Sequence, residues 1–125
     1  MPKLKKLLIL DPSPVFRRTL KNAVQAGFPD VEILGAHTTD RAEDILKREQ
    51  PDVVLLDIAV PPDNGLEFIV VIRRTVPQAR IIVLTDYDSP EYQQTSLQKG
   101  ADYFLSKEYS GGSYTLGVIS DAIGT

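Results

Sequence analysis

The chain of 125 residues predicts an α/β fold, a doubly wound five-stranded parallel sheet with five helices. Two observations predict it. Short apolar runs alternate with longer segments of helical periodicity, which is typical of a parallel sheet covered on both faces. No internal repeat or low-complexity linker interrupts that alternation, so we expect a single domain over residues 1–125.

The first half of the chain predicts three strands and two helices. The strands are residues 7–10, 31–34 and 53–56. Ser13 and Pro14 form an N-cap followed by proline at the first helical position, and an apolar stripe continues that first helix. We expect the second helix to begin at Thr39 and Asp40, because Asp40 and Glu43 resemble a capping box.

The second half predicts two more strands and three helices. The strands are residues 81–84 and 103–105. Gly65 precedes the third helix, whose apolar residues alternate inward and outward. The last helix, residues 113–123, has poor intrinsic helicity because it contains Gly117 and several β-branched residues.

The fourth helix, residues 91–99, is the least well specified. Ser89 and Pro90 repeat the N-cap and proline signature before it. Tyr92 and Leu97 are its only strong apolar anchors, so we expect this helix to be loosely held.

Composition excludes several classes of function. The net charge of -3 argues against the basic surface that non-specific nucleic-acid binding requires. The chain has no cysteine, which excludes disulfides and thiolate metal sites and is compatible with a cytoplasmic location. The first apolar run stops at Asp11, too soon for a signal peptide or a membrane span, so we expect no membrane association.

Polar side chains stand at the ends of four predicted strands. They are Asp11, Asp57, Thr85 and Lys107, which follow the first, third, fourth and fifth strands. If the strands are parallel, these four ends converge at one edge of the sheet. Each residue alone has a simpler interpretation: Asp57 could be an ordinary turn acid, and Asp11 could cap a helix, although Ser13 already fills that role.

Short motifs accompany these strand ends. They are Leu8-Ile9-Leu10-Asp11, Asp57 with Pro61 and Gly65-Leu66-Glu67, Thr85, and Gly100-Ala101-Asp102 through Lys107. Together they resemble the receiver domain of bacterial response regulators over nearly the whole chain. The resemblance implies a flavodoxin-like sheet of order 2-1-3-4-5. Residues 11–18 look most like receivers that precede a LuxR-type helix-turn-helix domain, and we expect any DNA contact to come only from such an output domain.

The resemblance also implies a chemistry. Asp57 would be the nucleophile that takes a phosphoryl group from a partner histidine kinase, a phosphotransfer protein or a small phosphodonor. Lys107 would supply a cation to a phosphoryl oxygen, and Thr85 a hydroxyl group. Mg²⁺ would be held by Asp11, by Asp57 and by the backbone carbonyl of Ala59.

A conformational switch follows from the same resemblance. Phosphorylation would pull Thr85 toward the phosphoryl group and let the ring of Phe104 turn inward, altering an effector or homodimer surface on the last two helices. The alternative for Phe104 is that it is simply a core aromatic.

Three residues depart from the receiver pattern. Pro12 stands where receivers carry a second acid that binds the metal directly, so we expect weakened Mg²⁺ binding and slower phosphorylation. Asp86 stands where receivers usually have a small residue, and either compensates as a nearby acid or repels the incoming phosphoryl group. Glu108 stands where many receivers have proline.

Other functions remain as alternatives. The main one is a degenerate receiver, a protein-interaction module that kept the fold without phosphorylation control. A flavodoxin-like mononucleotide binder lacks support, because no glycine-rich loop follows the first strand. We expect no enzymatic turnover of a metabolite, since no His/Ser/Cys constellation exists, and we interpret His37 as a solvated loop residue.

Overall fold

The structure is a computed structural model that describes residues 5–62, 64–109 and 113–124. The strands are β1 (Lys6–Leu10), β2 (Glu32–Ala36), β3 (Val53–Leu56), β4 (Arg80–Thr85) and β5 (Tyr103–Ser106). The helices are α1 (Pro14–Gly27), α2 (Thr39–Glu49), α3 (Gly65–Thr75), α4 (Pro90–Gln98) and α5 (Ser113–Ile123), with a 3-10 turn over Lys107–Tyr109. The described strands form one parallel sheet of order β2-β1-β3-β4-β5, which confirms the predicted fold class and strand order.

The described core has two parts, one on each face of the sheet. Successive side chains of a strand point to opposite faces, so Leu8 and Leu10 pack with α2 and α3, whereas Leu7 and Ile9 pack with α1 and α5. All four of these β1 side chains are buried, as expected for a strand covered on both faces. The two layers of helices leave the carboxyl edge of the sheet as the place where strand-end side chains can meet.

Hydrogen bonds continue the sheet for one residue beyond the central strands. The amide of Asp57 donates to the carbonyl of Leu10 at 2.9 Å, and the amide of Asp11 donates to the carbonyl of Ala36 at 3.1 Å. These bonds hold the first residue after β1 and the first residue after β3 next to each other at the edge of the sheet.

Helix starts follow the predicted caps in two cases and differ in one. Ser13 and Ser89 cap α1 and α4 through their side-chain oxygens. The predicted capping box at Asp40 and Glu43 is wrong, because Thr38 is the N-cap of α2 and its hydroxyl accepts the amide N–H of Arg41 at 3.2 Å.

Helix α4 lacks the two apolar anchors that were predicted for it. Tyr92 and Leu97 do not anchor it, since their side chains are 40% and 44% exposed. The structure describes all of α4, and Ser96 is the one residue that it buries.

Among the described residues, no helix combines the length and the apolar character that a membrane crossing would need.

Candidate functional site

Asp57 follows β3 and is nearly buried, with its carboxylate held by three groups. One oxygen, Oδ1, accepts the Thr85 hydroxyl at 2.8 Å and the backbone N–H of Ala59 at 3.0 Å. The other oxygen, Oδ2, lies 2.9 Å from Nζ of Lys107. Charge-assisted hydrogen bonds of this kind fix the orientation of a carboxylate, so Asp57 points toward Thr85 and Lys107 at the edge of the sheet.

Asp11 follows β1 and shares the same ammonium group. Its Oδ2 lies 2.7 Å from Nζ of Lys107, and its Oδ1 accepts the backbone N–H of Ser13 at 2.8 Å. The backbone carbonyl of Asp11 accepts a hydrogen bond from the Arg17 guanidinium at 2.6 Å. One side-chain oxygen of Asp11 therefore faces the site, and the other stabilises the start of α1 through its hydrogen bond with Ser13.

The Lys107 ammonium lies between the two carboxylates, and the Lys107 side chain is 13% exposed. Burial lowers the pKa of Lys107, but the hydrogen bonds to Asp11 and Asp57 and the charges of those groups raise it more, so the pKa is above its usual value. The group is a cation at neutral pH. The ring centroid of Phe16, in the first turn of α1, lies 4.1 Å from the same Nζ.

Thr85 ends β4 and is fully buried. Its hydroxyl donates to Asp57, and its oxygen accepts the backbone N–H of Tyr87 at 3.2 Å. The ring of Tyr87 meets the ring of Tyr92 edge to face, with centroids 6.0 Å apart. A continuous series of contacts therefore runs from the Asp57 carboxylate to the first turn of α4.

Gly65 fixes the loop that follows Asp57. Its amide donates to the carbonyl of Ile58 at 2.8 Å, and a Cβ at this position would lie only 2.7 Å from the Cα of Ile58. Only glycine allows the start of α3 to pack this closely on the backbone next to Asp57.

The donor set of the site suits a hard divalent cation with two carboxylate ligands. Asp11 and Asp57 each place one oxygen against the same ammonium, which marks a cation position between them. Oxygen ligands of this type suit Mg²⁺. Pro12 is exposed and adds no carboxylate, and the described residues contain no group of three His, Cys, Asp or Glu side chains that could hold a metal.

The other residues singled out in the sequence lie around this centre. Phe104, on β5, is half-buried and packs against the core part that α2 and α3 cover. Asp86, Glu108 and His37 have exposed side chains. A groove of about 460 Å³ opens beside the site, lined by Ile58, Ala59, Asn64, Leu66, Tyr87 and Tyr92.

Sequence reasoning missed several residues that touch the central four. Ser13 was identified as a helix cap, but its N–H also binds Asp11. Phe16 belongs to the apolar stripe that predicts the first helix, and Arg17 and Tyr87 carried no signal of their own. The short spacing from Asp11 to Phe16, and from Thr85 to Tyr87, is the one feature of the sequence that places them near the site.

Comparison with known proteins matches residues 7–114 to the response regulator receiver domain. The transcriptional regulatory protein MctR of Rhizobium johnstonii is 36% identical over 110 residues, which cover 87% of this chain and 50% of that protein. The nitrate/nitrite response regulator protein NarL of Escherichia coli is 30% identical over 103 residues, covering 82% of this chain and 47% of that protein. The chain thus spans about half the length of these two relatives.

Solved structures give the same result for the fold. A response regulator from Burkholderia pseudomallei, with a phosphorylated aspartic acid, a calcium ion and citrate, aligns with a TM-score of 0.82 and 27% identity over 97% of this chain and 67% of that chain. A CheY-like receiver domain protein from Methanospirillum hungatei aligns with a TM-score of 0.88 and 26% identity over 97% of this chain and 94% of that chain.

Proposed function

This chain belongs to the response regulator receiver domains, and from that membership we propose that Asp57 accepts a phosphoryl group and thereby switches a surface of the domain. One observation carries the proposal. The Asp57 carboxylate stands between the Lys107 ammonium at 2.9 Å and the Thr85 hydroxyl at 2.8 Å, at the carboxyl edge of the sheet. We also propose that residues 1–125 are one receiver domain.

The chemistry assigned to Asp57 is nucleophilic displacement at phosphorus. An Asp57 oxygen forms a bond to phosphorus while the bond from phosphorus to the donor breaks, and the electron pair of that bond stays with the donor. The donor is a phosphohistidine of a histidine kinase or phosphotransfer protein, or a small acyl phosphate. Lys107 neutralises charge on a phosphoryl oxygen, and Thr85 exchanges its hydrogen bond with Asp57 for one with another phosphoryl oxygen.

Three groups of this chain would hold Mg²⁺ in this proposal. Asp11, Asp57 and the backbone carbonyl of Ala59 would hold the ion, which supplies positive charge to the phosphoryl oxygens. Because Pro12 contributes no carboxylate, we expect a Mg²⁺ affinity below that of receivers that carry a second acid at this position.

The switch uses the contacts between Thr85 and α4. When Thr85 turns toward the phosphoryl group, its hydrogen bond with the Tyr87 amide changes, and the contact between the Tyr87 and Tyr92 rings changes with it. Helix α4 responds readily because it buries little apolar surface. The adjacent Phe104 side chain would move inward as the loop shifts, and α4 and α5 would present an effector or homodimer surface.

The function requires partners rather than a metabolite. The chain is itself the substrate of a histidine kinase or phosphotransfer protein, and we propose no turnover of a small molecule. DNA contact would come only through a further domain, in keeping with the transcriptional regulatory protein MctR, of which this chain spans about half.

A second candidate is a degenerate receiver, which Pro12 favours. In that case Lys107 would serve as a permanent internal cation that neutralises Asp11 and Asp57, and the domain would bind a protein partner without being phosphorylated. The shared ammonium is compatible with both candidates, so an experiment must separate them.

Intact mass after incubation with Mg²⁺ and acetyl phosphate separates the two candidates. We expect the parent to gain one phosphoryl group, Asp57→Asn to gain none, and Asp44→Asn to behave as the parent, because Asp44 is an exposed acid on α2. If the parent gains no mass, and Mg²⁺ with beryllofluoride does not raise its melting temperature, the interaction module replaces the phosphorylation switch.

A further inference from the structure

We propose that the aromatic ring of Phe16 positions the Lys107 ammonium beside Asp11 and Asp57, and so speeds phosphoryl transfer to Asp57. This inference rests on the proposed function of the site, because it assigns Lys107 a role in transfer. It adds a residue that does not touch the reacting atoms and acts only through Lys107.

The turn that holds Asp11 also places the Phe16 ring. The Ser13 amide donates to Asp11 Oδ1 at 2.8 Å, and the Ser13 hydroxyl accepts the amide N–H of Phe16 at 3.1 Å. The backbone of Phe16 is therefore tied, through one residue, to the same carboxylate that binds Lys107. Pro14 at the start of the helix restricts this turn further.

The distance and the surroundings make the contact between ring and ammonium effective. Nζ lies 4.1 Å from the ring centroid, well inside the limit of about 6 Å for attraction between a cation and a ring face. Leu20 and Leu84 line the apolar space beside Phe16 and the two acids. Such an attraction is stronger where water is excluded, and the Lys107 side chain is 13% exposed.

The ring contacts a group whose hydrogen bonds must change during transfer. A lysine carries its ammonium on a flexible four-carbon chain, and the two carboxylates hold Lys107 by hydrogen bonds that an incoming phosphoryl group must compete for. The Phe16 ring takes no part in that exchange of hydrogen bonds. It therefore keeps the ammonium near Asp57 while the oxygen partners of the ammonium change.

A fluorinated series at Phe16 tests this role with only a small change in the size of the side chain. Replacing Phe16 by mono-, di- and trifluorinated phenylalanine weakens the negative ring face stepwise. We expect the initial rate of phosphorylation by acetyl phosphate with Mg²⁺ to fall with each fluorine, reaching about fivefold to tenfold for the trifluorinated ring.

The same series at Phe28 is the matched control. Phe28 is also half-buried but caps the far end of α1, about 20 Å along the helix from Phe16. We expect no change in rate there. Equal melting temperatures across both series would show that a change in rate does not come from loss of folding.

An NMR measurement gives a readout that does not depend on phosphorylation. Nζ of Lys107 lies 4.1 Å from the centroid of the Phe16 ring, so we expect the ring to shield the adjacent ε-methylene protons in the parent. Their resonance should then move downfield in Phe16→Leu. The same resonance should stay in place in Phe28→Leu.

The outcomes separate this inference from the proposed function. If the parent is phosphorylated but its rate is flat across the Phe16 series, the positioning role of the ring is wrong while the proposed function stands. If the parent takes up no phosphoryl group, the proposed function fails, and the Lys107 resonance becomes the only test of the role of Phe16. A resonance that does not move in Phe16→Leu would then overturn the placement of the ammonium by Phe16.

Discussion

Helices α1 and α4 begin with the same two residues, a capping serine and then a proline, and yet they are held in different ways. Helix α1 buries Leu20 and Val24 against the sheet. Helix α4 buries only Ser96 among its residues, all of which the structure describes, and leaves Tyr92 and Leu97 substantially exposed. The capping signature determines where a helix begins, whereas the apolar stripe determines how firmly it is attached.

The difference matches the roles that we propose for the two sides of the site. Helix α1 begins next to Asp11, an acid that must stay in place to bind a cation. Helix α4 follows Thr85, whose hydrogen bonds must change when Asp57 is phosphorylated. A firmly packed helix suits the first role, and a weakly packed one suits the second.

Truncation of the leucines should give the largest contrast between the helices. We expect Leu20→Ala to lower the free energy of unfolding by about 2 to 4 kcal/mol, because it leaves a cavity in the core. Leu97→Ala removes a side chain that is 44% exposed and should cost less than about 1 kcal/mol. Urea unfolding measures both, and equal losses would contradict the comparison.

Removal of the caps should give a smaller and more local contrast. We expect Ser13→Ala and Ser89→Ala each to cost about 1 kcal/mol of helix stability. The loss should lower global stability for α1, but for α4 it should appear mainly as faster amide hydrogen exchange within the helix, since α4 opens locally. Hydrogen exchange, measured together with urea unfolding, distinguishes a loss of global stability from local opening of α4. A purely global effect of Ser89→Ala would argue against local opening.

The fold was predictable where local signals are unambiguous. Strand β3 has the predicted bounds of Val53–Leu56, because a continuous apolar run ends at a polar turn. Helix α1 begins at Pro14, because a capping serine and a proline at the first helical position both indicate this start. The meeting of Asp11 with Asp57 follows from the parallel order of the strands.

The N-cap of α2 was not predictable, although the helix begins at Thr39 as expected, because a contact distant in sequence selects the capping residue. Thr38, Thr39 and Asp40 can each cap a helix, and local pattern does not rank them. In the structure the Thr39 amide donates to the carbonyl of Pro61 at 2.9 Å, which leaves Thr38 to cap the helix.

The placement of Phe16 over Lys107 was not predictable for the same reason. The two residues lie on α1 and just after β5, so their contact depends on how those elements pack around the site. An apolar stripe indicates only that Phe16 faces inward, and it does not identify the neighbouring cation.

The buried serine of α4, Ser96, offers a way to reduce the difference in attachment between α1 and α4. The hydroxyl of Ser96 finds no hydrogen-bond partner among the described residues, and an unpaired buried polar group is destabilising. We therefore expect Ser96→Ala to stabilise the protein by about 0.5 to 1 kcal/mol. Ser120→Ala on α5 is the control, because Ser120 has a partner, and a gain of the same size in both variants would contradict the explanation.

A pH titration should give the smallest effect. It shows whether charge contributes to the difference in attachment between α1 and α4. The hydrogen bond and charge of Lys6 lower the pKa of Glu49 at the end of α2. Its contribution to stability is present above the pKa of the unfolded carboxyl group and is lost as pH falls through the lowered pKa of the folded state.

Unfolding between pH 7 and 3 should therefore show a slightly larger loss of stability in the parent than in Glu49→Gln, because solvent reaches part of both side chains and screens the pair. The order of hydrogen-exchange rates in α1 and α4 should stay the same in both proteins. If the stability of the parent and of Glu49→Gln changed with pH in parallel, the contribution assigned to the pair of Lys6 and Glu49 would be contradicted.

The most direct test is hydrogen exchange of α1 and α4 before and after phosphorylation by acetyl phosphate with Mg²⁺, with the mass of the intact chain followed in the same sample. We expect that one phosphoryl group is gained, that exchange in α4 changes, and that exchange in α1 does not. A phosphorylated protein whose α4 exchanges as before would contradict the switch, and a protein that gains no phosphoryl group would contradict the role assigned to Asp57.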